Sequence, residues 1–169
     1  MKTQPEVWLR GPVTGFSSAL QPVVHAILQA QEEIHQLTKD FPSELLWKRP
    51  AGMASPGFHL QHITGVLDRM VTYAKAETLA QQQFDYLKNE GLANKDLTKE
   101  ILVGNLDDQI TEFLDFLSVL DVNTLPDFRG VGRAQLPSTV GGLLFHAAEH
   151  TQRHVGQLLV TVRVLLATN

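Results

Sequence analysis

A chain of 169 residues with 43% hydrophobic side chains is long enough to bury one core and short for two ordinary domains. A formal charge of -4, with 14 Lys and Arg residues scattered along the chain, lacks the footprint of a nucleic-acid binder, and no apolar run approaches the ~20 residues that span a bilayer. Cysteine is absent, which excludes disulfides, thiolate nucleophiles and cysteine-held metals together and leaves any metal site to histidine and carboxylate.

The opening residues carry no apolar core of signal-peptide length, so a cytoplasmic location is expected. Pro5, Gly11, Pro12 and Gly15 break helices, and Trp8 and Leu9 offer docking surface, which predicts an ordered N-terminal strap over residues 1 to 16. From Ser18 to about Lys39, Leu20, Val23, Val24, Ile27, Leu28, Ile34 and Leu37 follow helical spacing, with Pro22 tolerable in a first turn. His25 and His35 on this first helix read as structural or solvated. Residues 41 to 56 form a connector anchored by Trp47, whose large indole needs burial.

Ser55-Pro56 is an N-cap followed by proline at the first helical position, so a second helix is expected from Pro56 to about Ala80. His59 and His62 sit in its first two turns. A short amphipathic piece, Phe84 to Leu87, leads into a turn at Asn89-Glu90-Gly91. The third helix is expected from about Leu97 to Leu120, and Asp121 to Pro137 reads as irregular. Ser138 or Thr139 then caps a fourth helix that continues to about Ala167. No strand pattern and no solenoid repeat emerges. The expectation is an all-α, single-domain four-helix bundle over residues 1–169. Its longest connection, between the second and third helices, is the place for a crossover.

The fourth helix carries His146, His150 and His154 at steps of four, which stacks three imidazoles along one slowly rotating stripe. Each step climbs ~6 Å and overshoots the turn by roughly 40°, so His146 and His154 stand ~12 Å apart along the axis. With zinc–imidazole bonds of ~2.1 Å, one ion takes either His146 with His150 or His150 with His154. His150 belongs to both pairs. Either His59 or His62 can complete the site from the second helix, leaving a coordination position open for water or substrate. A divalent ion held by neutral ligands favours a bound thiolate, activates water or polarises a carbonyl, so thiol transfer and hydrolysis are both within reach.

Around this set, Glu149 points about 100° away from His150 and reads as a supporting or surface carboxylate. Gln157 can hydrogen-bond a ring nitrogen or substrate, and Gly156 reads first as a helix-packing glycine. Arg129 and Arg133 are candidates to receive an anionic substrate group, or are ordinary solvated arginines. Neither a Gly-x-Ser-x-Gly elbow nor a glycine-rich phosphate loop with its lysine is present.

These motifs resemble one family. Leu46-Trp47-Lys-Arg49-Pro50, Ser55-Pro-Gly-Phe-His59-Leu-Gln-His62-Ile, Leu136-Pro137-Ser-Thr139 and His146-Ala-Ala-Glu149-His150-Thr-Gln-Arg-His154-Val-Gly156-Gln157 are together similar to the DinB-like superfamily, the DinB/YfiT-like metalloenzymes. The likeness runs from about Trp8 to Val164. It implies a four-helix bundle with an unusual crossover, a divalent metal bound by three histidines, and homodimers. Carried over residue by residue, the metal ligands fall on His62, His150 and His154, which leaves His59 and His146 as supporting or substrate-facing candidates. Where the family commonly has His-Arg-Gly-Gln, this chain has His154-Val155-Gly156-Gln157, so a cation beside the metal is exchanged for an apolar group. The family is functionally mixed, with thiol S-transferases, hydrolases and proteins linked to stress responses. The expectation drawn from it is a Zn enzyme, with Ni, Fe or Mn as alternatives, that transfers a low-molecular-weight thiol to a small-molecule substrate. Metal-dependent hydrolysis and a non-catalytic, metal-stabilised binding or dimerisation module are the alternatives. Neither nucleic acid nor membrane is expected as a partner.

Overall fold

The computed structural model describes residues 4–168. After a 3-10 turn at Val7–Leu9 come α1 (Gln21–Thr38), α2 (Pro56–Ala74), α3 (Gln81–Asn89), α4 (Lys99–Ser118), β1 (Phe128–Val131), β2 (Leu136–Thr139) and α5 (Val140–Ala167). The fold is all-α, with a two-stranded sheet as its only described extended element. Among the described residues no helix is long and apolar enough to cross a membrane.

The four long helices form the bundle. Helices α1 and α2 each pack against α4 and α5, so α1 and α2 stand diagonally across the core. Its centre is apolar: Ile27, Leu60, Leu67, Leu106, Phe113, Leu144 and Leu158 are fully buried. Each such side chain stabilises the fold by about 1.5–3 kcal/mol relative to exposure.

Side-chain contacts set the helix directions. His59 and His62 meet His154 and His150 in that order, so α2 and α5 are antiparallel. Asp68 shares a groove with Gln109, and Lys75 Nζ lies 5.6 Å above the Phe116 ring, so α2 and α4 run the same way. Parallel neighbours require a returning connection, and α3 supplies it. Gln83 Nε2 donates to Thr72 Oγ1 at 2.8 Å, and Tyr86 Oη donates to the Gln61 carbonyl at 3.1 Å further back along α2. The crossover expected between the second and third helices is therefore a helix laid antiparallel on α2.

Local details depart from the sequence reading in three places. Helix α2 ends at Ala74 instead of near Ala80: Ala76 takes φ +59 and the Glu77 N–H turns back to the Thr72 carbonyl. Nothing in Lys75 to Ala80 is a glycine or proline, so a left-handed alanine ends the helix without a compositional signal. The short piece around Phe84 is a nine-residue helix, with Ala80 N–H capped by Gln83 Oε1 at 2.9 Å. Residues 128–139, expected to be irregular over 128–137, form an antiparallel hairpin pairing Phe128 with Thr139 and Gly130 with Pro137. Glycine and proline in so short a pair hide it from pattern reading, and a two-stranded ribbon has edges that tolerate Pro137.

Residues 4–16 of the expected strap are ordered against the bundle, residues 1–3 lying outside the described residues, but Val7 docks instead of its neighbours. Val7 is buried and its N–H donates to Gln29 Oε1 at 2.9 Å, while Trp8 and Leu9 are exposed. Trp47 is anchored as expected, over the first turn of α2: a Cβ on Gly57 would meet its ring at 2.6 Å, so only glycine admits the indole there. Ser55 Oγ accepts the Phe58 N–H at 3.2 Å, and Thr139 Oγ1 accepts the Gly142 N–H at 3.0 Å, fixing the starts of the two histidine-bearing helices.

Candidate metal centre

Helices α2 and α5 bring His59, His62, His146, His150 and His154 into one chain of imidazoles. His62 Nε2 lies 3.0 Å from His150 Nε2, and His59 Nδ1 lies 3.0 Å from His154 Nδ1. Ring centroids of His62 and His154 are 4.5 Å apart, and those of His150 and His154 4.6 Å. One ligand nitrogen from each of His62, His150 and His154 falls within 4.8 Å of the others, close enough to hold one ion. Two nitrogens bound at ~2.1 Å would sit roughly 3.0–3.4 Å apart for angles between square and tetrahedral, the spacing found between His62 and His150.

The hydrogen-bond partners of His62 and His150 leave nitrogen lone pairs that a cation could accept. His62 Nδ1 lies 2.6 Å from Glu90 Oε2, the N–H donating, so its Nε2 presents a lone pair to His150. His150 Nδ1 is buried without a partner among the described residues. Neutral imidazoles in this arrangement offer lone pairs that could hold a cation.

Burial tunes these rings. Desolvation first, then the neighbouring His62, push His59 down to about 4, and the same order of causes takes His154 down to about 3. His150 is lowered as well, by burial and then by His62 and His146. Neutral rings are the ligating form. The unfolded chain binds protons at the ordinary histidine value near ~6.5, whereas folded His59 and His154 do not. Their contribution to stability is therefore complete above pH ~6.5 and is lost as pH falls from there toward the folded values. For metal-stripped protein each ring costs about 1.4 kcal/mol per pH unit below ~6.5, or on the order of 4 kcal/mol for the pair at pH 5. Thermal unfolding after chelation should show the midpoint dropping by about 10 °C between pH 7 and pH 5. An unchanged midpoint would mean that the folded rings accept protons freely.

The sequence reading missed the support for His62. Glu90 ends the α3 crossover with its side chain only 4% exposed, between His62 and Arg69, whose Nη1 donates to Glu90 Oε1 at 2.8 Å. Gly65 makes room for this pair, since a Cβ there would lie 2.5 Å from Glu90 Oε1 and 2.6 Å from Arg69 Nη1. Phe58, one turn before His62, stacks on its ring with centroids 5.1 Å apart. One signal was available: Arg69 stands between Leu67 and Met70 on an apolar stretch of helix, the structure leaves it 7% exposed, and a buried guanidinium requires a carboxylate.

The remaining candidates divide. His146 Nδ1 pairs with Glu149 Oε1 at 2.9 Å, and Glu149 Oε2 accepts Arg153 Nη2 at 2.6 Å, in a more exposed cluster that touches His150. His146, Glu149 and His150 could also hold an ion. Gln157 and Gly156 are exposed on the wall of a neighbouring cavity. Among the described residues no helix packs on Gly156, where a Cβ would meet nothing within 4 Å, so the packing role expected of it is not seen there. Arg129 Nε donates to the Ala74 carbonyl at 2.8 Å, roughly 18 Å along α2 from His62, and Arg133 lies in the hairpin turn, so neither reaches the cluster. His25 Nε2 rests against the Gly11 carbonyl, and His35 pairs with Asp107, both apart from the site.

No curated protein matches the chain significantly. A conserved protein of Enterococcus faecalis, known from a crystal structure, is similar in fold, with a TM-score of 0.70 at 15% identity over 88% of this chain and 97% of that one. The family model of the DinB superfamily matches residues 26–158, which spans the crossover, the hairpin and all five clustered histidines. This chain belongs to the DinB superfamily.

Proposed function

We propose that this protein is a metal-dependent enzyme in which His62, His150 and His154 hold one divalent ion, zinc first, and that it transfers a low-molecular-weight thiol to a small electrophile. The observation that carries this reading is the approach of three imidazole nitrogens from two helices to within 4.8 Å. The set is preferred to His146–Glu149–His150 because it is better buried and Glu149 is already paired with Arg153. When bound, an ion with neutral ligands supplies Lewis acidity toward a thiol, a water or a carbonyl.

The chain's own residues divide the remaining work. Glu90 fixes His62 by accepting its Nδ1–H, and His59 accepts the Nδ1–H of His154, which leaves Nε2 as the ring nitrogen free in each. The cysteine-free chain offers no thiol, so sulfur comes from a co-substrate. The half-exposed His146, oriented by Glu149, takes the proton that the thiol sheds as its sulfur bonds to the electrophile and the leaving group departs. This same pair supports the second reading, hydrolysis, because a base beside the centre serves an attacking water equally well. The homodimer implied by the family likeness is part of the proposal, and sedimentation of the purified protein tests it.

Zinc-loaded and chelated protein, offered glutathione or cysteine with an aryl halide or epoxide, should differ in thiol consumption. His62→Ala should behave as the chelated enzyme does. Metal-dependent cleavage of a p-nitrophenyl ester without thiol would replace transfer with hydrolysis. Full zinc occupancy with neither activity would leave a metal-stabilised binding or dimerisation module.

A further inference from the structure

Beside the imidazole cluster lies a cavity of about 500 Å³, walled on one side by the Pro50–Ala54 segment and on the other by the Arg153–Val164 stretch of α5, with His59 at its inner end. Its volume lies within the range of small-molecule sites. Met53, Ala54, Val160 and Val164 make it apolar, and Arg153 is the one ionised side chain among its lining residues.

Three features mark the cavity as built. Its lip is held in place, with Arg49 Nη2 donating to the Gly52 carbonyl at 2.9 Å and Arg49 Nε to the Met53 carbonyl at 3.1 Å. That lip contains a left-handed non-glycine residue, Ala51, at φ +49, a conformation that needs such support. Gly156 stands in the middle of α5, where glycine costs about 1 kcal/mol against alanine, yet neither its backbone angles nor any neighbour requires it. What the missing side chain provides is space in the cavity.

We infer that this cavity seats a small organic carboxylate, its carboxylate on Arg153 at the end nearest His59 and His154 and its apolar body running from there between Met53 and Val160. Charge complementarity selects the anion. Glu149 occupies Nη2 of Arg153, and the rest of the guanidinium fork is available to a ligand. The inference rests on the enzymatic reading in taking this ligand as the substrate or a part of it.

Calorimetric titration with 4-phenylbutyrate, 4-phenylbutanol and 4-phenylbutylamine tests the cavity on metal-stripped and zinc-loaded protein alike. One equivalent of the carboxylate should bind both forms, and the amine should bind at least tenfold more weakly. Gly156→Phe fills the space and should abolish binding while zinc affinity stays within threefold of wild type. Val160→Trp, on an exposed position, repeats the test should the glycine variant not fold. Arg153→Gln should weaken the acid five- to tenfold and leave the alcohol unchanged. Binding to stripped protein in the absence of any zinc-dependent activity would uphold the cavity and remove the enzymatic reading; activity without probe binding would do the reverse. Equal affinity for acid and amine, or undiminished binding to both filled variants, would overturn the assignment.

Discussion

Replacing His150 with alanine is expected to take zinc content from about one equivalent per chain to nearly none. His150 is the ring shared by both histidine pairs on α5, and it faces His62 at 3.0 Å. Dividing the roughly 10–16 kcal/mol of a four-ligand zinc site evenly gives about 2.5–4 kcal/mol per ligand, a loss of ~10²–10³ in affinity. Metal-stripped His150→Ala should unfold within about 1–2 kcal/mol of the stripped parent, because the substitution also deletes a buried nitrogen without a partner. His146→Ala should keep its zinc. Should His146→Ala lose zinc as fully while His62→Ala retains it, the ion belongs with His146 and Glu149.

Glu90→Ala should damage both the fold and the site. It strands Arg69, which is 7% exposed, and releases His62 Nδ1. Removing one partner of a buried ion pair costs about 3–5 kcal/mol, which corresponds to a drop of about 10 °C in the unfolding midpoint for a chain of this size. Losing the carboxylate behind a ligating histidine lowers metal affinity by about 10–100-fold. The double variant Glu90→Ala with Arg69→Met separates the two effects: it removes the stranded charge and should recover much of the stability, while zinc affinity stays low. Loss of less than about 1 kcal/mol in the single variant would show that water reaches Arg69 readily and that the pair does not hold His62 in place.

The helices were legible because their signals are local. Ser55-Pro56 and Thr139 start the two ligand-bearing helices where capping chemistry places them, and apolar spacing gave the four bundle helices within a few residues, apart from the end of α2. The histidine steps on α5 put His150 at the centre of any site, and similarity to a family singled out His62 over His59. Distance in the chain hid the rest. Glu90 reaches His62 across 28 positions because α3 folds back along α2, and nothing in Asn89-Glu90-Gly91 distinguishes a carboxylate bound for the core from one in a solvated turn. The premature end of α2 at Ala74, which makes that return path, depends on an alanine with positive φ, so tertiary packing overrides helix propensity there. The cavity beside Gly156 was equally hidden, since a helical glycine reads the same whether it admits another helix or a ligand.

Anomalous diffraction from zinc-soaked crystals, collected on both sides of the zinc edge, should show one strong peak about 2.1 Å from a ring nitrogen of each of His62, His150 and His154, with no fourth protein ligand and at least one position facing solvent. A peak between His146 and Glu149, a fourth side chain closing the coordination sphere, or no peak near α2 at full zinc saturation would contradict the open three-histidine centre.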